Sequence, residues 1–165
     1  MIIFDDYFDK EPVKEFIESL EQKISLLEEG EILDVFYTTN GGSVAFGFIM
    51  RDILLKYKDK IKLCLIDVMN SSGFDLLWHL KDMTIYMYPS FRYAMTHKAS
   101  NTLSTSSQAF DIEMNQLKDD TLIWNQRLRD LGISEHDINK FNSNDNIFIP
   151  REEVLKLFPN IIEVQ

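Results

Sequence analysis

Residues 66–77 read Ile66-Asp67-Val68-Met69-Asn70-Ser71-Ser72-Gly73-Phe74-Asp75-Leu76-Leu77. An apolar, β-forming run stops at two serines and a glycine, and apolar residues then resume at helical spacing. The stretch predicts a buried strand from Lys62 to Met69 that runs directly into a helix from Gly73 to Leu80. Such a junction offers hydroxyls and free backbone N–H groups at a helix N-terminus. It can be a plain turn, or the seat of a nucleophile at the mouth of a cleft.

The same strand-to-helix pattern precedes it. Residues 2–8 read as a first strand, and Asp9 caps a helix with Val13, Phe16, Ile17, Leu20, Ile24 and Leu27 on one face. Gly30 is the expected stop. Ile32 to Thr38 is the next strand, leading into Thr39-Asn40-Gly41-Gly42-Ser43. Ser43 then caps a helix to about Tyr57 with Phe46, Ile49, Ile53 and Leu54 inward.

Downstream, Met83–Tyr88 and Phe91–His97 have strand composition on either side of Pro89-Ser90. The longest helical signal runs from about Ser106 to Leu131. Phe110, Met114, Leu117, Thr121, Trp124, Leu128 and Leu131 form a seam-like stripe along it, and Gly132 closes it. A shorter helix comes next, capped by Ser134 with Asp137 three residues on. After the polar loop around Asp145 come the strand Ile147–Ile149, a helix started by Pro150, and Ile161-Ile162-Glu163-Val164. This alternation predicts an α/β fold built by right-handed crossovers. With no repeat or linker in view, residues 1–165 are expected to form one domain.

Composition narrows the function. A net charge of −10 argues against a nucleic-acid partner, which calls for a basic face. No apolar run approaches the ~18 residues of a membrane span, and the acidic start is unlike a secretory signal. The lone cysteine, Cys64, cannot form an internal disulfide, which fits a reducing, cytoplasmic setting, and its apolar strand marks it as inert core. No H-E-x-x-H or comparable spacing occurs, so neither metal nor cofactor is expected.

The two junctions suit acyl transfer, which needs a hydroxyl to attack a carbonyl and N–H donors for the oxyanion. Glycines at 41 and 42 let the backbone approach a substrate closely. A serine nucleophile also needs a base, and there are three histidines. His79 is placed along the helix about 12 Å from Ser71, too far to bond it, and reads as a packing or surface residue. His136 reads as exposed. His97 ends a strand-like segment and is the best placed of the three; the residues alone do not choose its acid.

In register, these motifs resemble the proteolytic subunit of the Clp protease. The resemblance rests on Asn40-Gly41-Gly42-Ser43-Val44, Ser71-Ser72-Gly73 with Leu76-Leu77, Pro89, Met95-Thr96-His97, and Asp145-Asn146 ahead of Glu152-Glu153. The intervals are 29 residues from Gly42 to Ser71, 26 from Ser71 to His97 and 48 from His97 to Asp145. The likeness covers nearly the whole chain from Ile2. It implies a Clp-protease/crotonase-like spiral of ββα units with a long protruding handle helix, the handle region lying at about 98–132.

It also implies a serine endopeptidase acting on peptides or unfolded proteins. Ser71 would be the nucleophile, His97 its general base and Asp145 the orienting acid. The backbone N–H groups of Gly42 and Ser72 would form the oxyanion hole, with the Ser72 hydroxyl the fallback nucleophile. Partners implied are further copies of the chain in stacked, sevenfold rings and a separate ATPase unfoldase. With the first strand read from Ile2, the family's axial pore-loop segment is not expected here, which sets the usual docking to an ATPase apart from the other implications, and no P-loop occurs in the chain.

The chain departs from the family pattern at Asn40, where proline precedes the glycines, and at Met69-Asn70, where small residues precede the serine. Lys98-Ala99-Ser100-Asn101-Thr102 replaces the glycine-rich stretch after the histidine. Two other readings are a catalytically weak ring-forming scaffold and a crotonase-like acyl-thioester enzyme. The latter shares the two-amide oxyanion hole but does not need the triad.

Overall fold

The computed structural model describes residues 1–97, 122, 125–126, 128–130, 132–143 and 146–165. It divides into two compact units, one formed by Met1–Met95 with Phe148–Gln165 and the other by Thr96–Ile147.

Strands β1 (Ile2–Asp5), β2 (Leu33–Thr39), β3 (Ile61–Asn70), β4 (Ile85–Met87) and β7 (Ile161–Glu163) lie side by side in the order β1-β2-β3-β4-β7. Each neighbouring pair is parallel. Strand β5 (Tyr93–Thr96) pairs with β3 and with β6 (Ile147–Pro150), off that path. The helices are α1 (Lys10–Ser25), α2 (Val44–Lys56), α3 (Ser72–His79), α4 (Glu135–Asn142) and α5 (Arg151–Leu157). The α/β alternation read from the sequence is therefore present, as a mostly parallel sheet with helices. Parallel strands need crossovers that cover their faces, and β2 and β3 are accordingly apolar and buried along most of their length.

Local chemistry explains most of the element starts. The Asp9 carboxylate accepts from the Lys10 amide at 2.7 Å and opens α1. Val13, Phe16, Leu20 and Ile24 are its buried positions. Phe16 joins Phe4, Phe8 and Tyr37 in an aromatic cluster, with Phe4 stacked on Tyr37 at 5.1 Å. The helix ends at Ser25, short of Gly30, because the chain already turns at Leu26. Gly30, at φ +84°, redirects the chain toward β2.

The inward face of α2 differs from the one expected. Gly47, Met50 and Leu54 are buried, whereas Ile49 is exposed. Gly47 is the reason. A β-carbon there would come within 3.3 Å of the Phe8 ring, so the helix turns its glycine to Phe8. Apolar periodicity does not count a glycine as part of a buried face.

In the second unit, α4 begins as expected. The Ser134 hydroxyl accepts from the Asp137 amide at 3.2 Å and donates to its carboxylate at 2.6 Å. Leu128, one of the stripe residues, and Ile138 are fully buried. Most of the expected handle, about 98–132, lies outside the described residues. Among the described residues no helix is long and apolar enough to cross a membrane.

Candidate active site

Strand β3 changes partners midway: Leu63–Leu65 pair with β4, and Val68–Asn70 pair with β5. Against β2 the register moves from Tyr37↔Leu65 to Thr39↔Met69, so a step of four residues on β3 (69 − 65) spans two on β2 (39 − 37). The surplus forms a bulge, which bends the strand and re-aims the residues beyond it. Asp67 sits in it at φ +56°, its carboxylate taken by Arg92 at 2.5 Å and its carbonyl by the Arg92 amide at 2.7 Å. On the β2 side the Thr38 hydroxyl donates to the Val68 carbonyl at 3.0 Å and accepts from the Val68 amide at 3.2 Å. The bulge thus keeps its buried backbone paired.

Beyond the bulge, β3 ends in a sharp turn. Ser71 has φ +54° and ψ −124°, a conformation that costs a non-glycine residue about 1–3 kcal/mol. Its amide donates to the Met95 carbonyl of β5 at 2.6 Å, and its carbonyl accepts from the amides of Phe74 and Asp75 to open α3. Hydrogen bonds on both sides of the residue hold the strain in place. The Ser71 side chain is half-buried and, among the described residues of this unit, its hydroxyl has no hydrogen-bond partner. Ser72 differs: it is buried, and its hydroxyl donates to the Gly42 carbonyl at 3.0 Å.

The strip after β2 lies against this turn. The Thr39 hydroxyl donates to the Asp6 carbonyl at 2.7 Å and accepts from the Gly41 amide at 3.0 Å. Phe8 brackets Gly42, donating to the Gly41 carbonyl at 2.7 Å and accepting from the Ser43 amide at 2.8 Å. The Gly42 amide, between them, and the Ser72 amide, at the first position of α3, have no acceptor among the described residues. The glycines are required by the protein's own backbone, a closer constraint than room for substrate. A β-carbon on Gly41 (φ +91°) would lie 2.6 Å from the Asn70 carbonyl, and one on Gly42 (φ +134°) 2.7 Å from that of Phe8. One on Gly73 would collide with the Thr39 methyl.

The structure therefore brings Gly42, Ser71 and Ser72 together in the first unit. His97 comes after β5 in the second unit and is half-buried. Asp145 lies outside the described residues. His79 packs edge-on against Phe48, with ring centroids 5.5 Å apart, and His136 is exposed. Sequence reasoning missed Thr38, Thr39 and Phe8, which hold the strip. Thr38-Thr39 directly before Asn-Gly-Gly was the available signal, since hydroxyls at a strand end commonly bond local backbone.

A ClpP1 mutant from Listeria monocytogenes superposes with a TM-score of 0.69 over 99% of this chain and 91% of that one, at 17% identity. The fold is ClpP-like. No family model and no curated protein matches the sequence. The ClpP-like framework thus emerges from backbone arrangement at an identity far below what fixes an activity.

Proposed function

We propose that the protein is a serine endopeptidase of the Clp proteolytic-subunit type. The observation that carries this reading is Ser71, held at φ +54° on a strand-to-helix turn beside the amides of Gly42 and Ser72, which have no acceptor among the described residues. A strained strand-to-helix turn lifts a hydroxyl out of the backbone's hydrogen bonding, and paired amides are the donors a tetrahedral oxyanion needs. The ClpP-like fold supports the assignment.

On this reading Ser71 attacks the scissile carbonyl, the Gly42 and Ser72 amides take the oxyanion, and the acyl-enzyme is released by water. His97 is the general base and Asp145 its orienting acid, as the sequence resemblance implies. The substrates are peptides or unfolded proteins, delivered by a separate ATPase unfoldase in the cytoplasm. The apolar stripe through Leu117 and Trp124 serves as a handle that stacks rings of this chain, with activity linked to assembly.

A fluorophosphonate tests the chemistry. It should add to Ser71 of the folded protein, fail in Ser71→Ala, and react more slowly by orders of magnitude in His97→Ala. An adduct on Ser72, or none, would sink the assignment. Light scattering after size exclusion, with peptidase assays across a dilution series, tests the linkage to assembly; a fully active monomer would refute it.

A further inference from the structure

The two departures from the Clp pattern beside the candidate site are a single contact. Asn70, the last residue of β3, donates from Nδ2 to Oδ1 of Asn40, the residue after β2, at 2.9 Å. Asn40 is exposed, whereas Asn70 is only 6% exposed. Asn70 Oδ1 is buried and has no hydrogen-bond partner among the described residues. A buried amide oxygen without a donor opposes folding, so an apolar side chain would serve stability better here.

The placement of the pair suggests what the amide does instead. Asn40 leads directly into Gly41, which lies against the Asn70 carbonyl and the Ser71 β-carbon. Asn70 leads directly into Ser71. The bond therefore joins the strip carrying the Gly42 amide to the turn carrying the Ser71 hydroxyl. Proline at position 40 would stiffen that strip by fixing φ; asparagine leaves it free, and a side-chain tether can supply the lost restraint.

Resting on the acyl-transfer reading above, we infer that Asn70 is a positioning residue that clamps Asn40, fixing the spacing between the Gly42 amide and the Ser71–Ser72 turn. Oxyanion stabilisation depends on that spacing, because donors act fully only when already aimed at the developing charge. The clamp thus serves rate at the expense of stability.

The test uses the full chain with Asn70→Ala, Asn40→Ala, the double variant, and Asn40→Pro combined with Asn70→Ala. Three quantities are read: the fluorophosphonate rate at saturation and its half-saturation separately, the melting temperature, and hydrogen exchange in peptides covering 39–43. Asn70→Ala should slow the saturating rate roughly tenfold or more, with half-saturation unchanged and melting temperature equal or higher. Asn40→Ala should do the same, the double variant should be no slower than either, and Asn40→Pro should restore the rate. A wild-type rate in Asn70→Ala, or single effects that simply multiply, would overturn the clamp. If the wild type takes no phosphonate, the acyl-transfer reading fails by itself, and exchange then decides the clamp. Faster exchange at 39–43 in Asn70→Ala supports it, and unchanged exchange overturns it.

Discussion

The Ser72 hydroxyl donates to the Gly42 carbonyl at 3.0 Å, so the second serine of the pair is a tie between the two junctions. Its neighbour Ser71 carries the strain and keeps its hydroxyl out of the backbone. The two serines should consequently fail in different ways. Ser72→Ala should cost about 1 kcal/mol of unfolding free energy and still be labelled by fluorophosphonate. Ser71→Ala should lose labelling with little change in stability. Urea unfolding and mass mapping of the adduct separate the two, and a stable, unlabelled Ser72→Ala would reverse the roles.

The strain at Ser71 has its own signature. Alanine keeps the β-carbon that opposes φ +54°, whereas glycine does not. Ser71→Gly should therefore be more stable than Ser71→Ala by about 1 kcal/mol. That order is the reverse of what glycine does in ordinary helix or strand positions. Equal midpoints in urea would mean that the turn relaxes freely.

Gly41 and Gly30 provide a matched comparison, since both have positive φ, +91° and +84°. Nothing lies within 4 Å of a β-carbon built on Gly30, whereas one on Gly41 meets the Asn70 carbonyl at 2.6 Å and the Ser71 β-carbon at 2.7 Å. Gly30→Ala should cost only the backbone penalty, about 1 kcal/mol. Gly41→Ala adds a clash with backbone that cannot move aside, for roughly 3 kcal/mol or more in total. Chemical denaturation of the two variants checks the difference, and Gly41→Ala should also abolish labelling of Ser71.

Much of this fold was legible in the sequence because its signals are local. Alternating apolar runs marked the strands, Asp9 and Ser134 marked helix starts, and the Ser-Ser-Gly junction marked the turn. What escaped is non-local. Nothing near Gly47 says that it faces Phe8, 39 residues earlier (47 − 8). Likewise the bulge at Asp67 falls where β3 changes partners from β4 to β5, a property of the sheet and not of the strand. At the candidate site, the Clp resemblance singles out Ser71, Ser72 and Gly42, whereas Asn40 and Asn70 stand in the sequence as two separate departures from it; that their side chains meet is a property of the fold.

Cys64 should be chemically silent. It is fully buried in β3, its thiol is directed at the Lys62 carbonyl at 3.5 Å, and burial raises its pKa above the ordinary thiol value. A raised pKa leaves less of the reactive thiolate at any given pH. Because the folded value is the higher one, this contribution to stability is complete below the unfolded thiol's pKa and fades as pH climbs through the folded value. Labelling with an uncharged thiol reagent near pH 8 should be slow in native protein and rapid in urea. Blocking conditions that spare the fold should leave fluorophosphonate labelling intact; parallel loss of both would point to a cysteine nucleophile.

Thr38 is where the bulge behind Ser71 should be most vulnerable. Its hydroxyl both donates to the Val68 carbonyl and accepts from the Val68 amide, and the residue is only 4% exposed. Valine has nearly the same shape but cannot bond, so Thr38→Val removes both of these bonds from the buried backbone of Val68. That should cost about 2–4 kcal/mol, far more than the shape change alone. Thr38→Ser keeps the hydroxyl and should recover most of the loss. On the opposite side of the bulge, the Asp67–Arg92 ion pair is half exposed at both ends, 50% and 61%, where such pairs contribute little. Arg92→Ala should therefore be nearly neutral, while Asp67→Gly, which also relieves φ +56°, should be better tolerated than Asp67→Ala. Urea midpoints across the five variants give the order directly. If Thr38→Val is as mild as Arg92→Ala, solvent reaches Val68 and the hydroxyl does not hold the bulge. If Thr38→Val is costly and also slows labelling of Ser71, the bend in β3 sets the position of the turn.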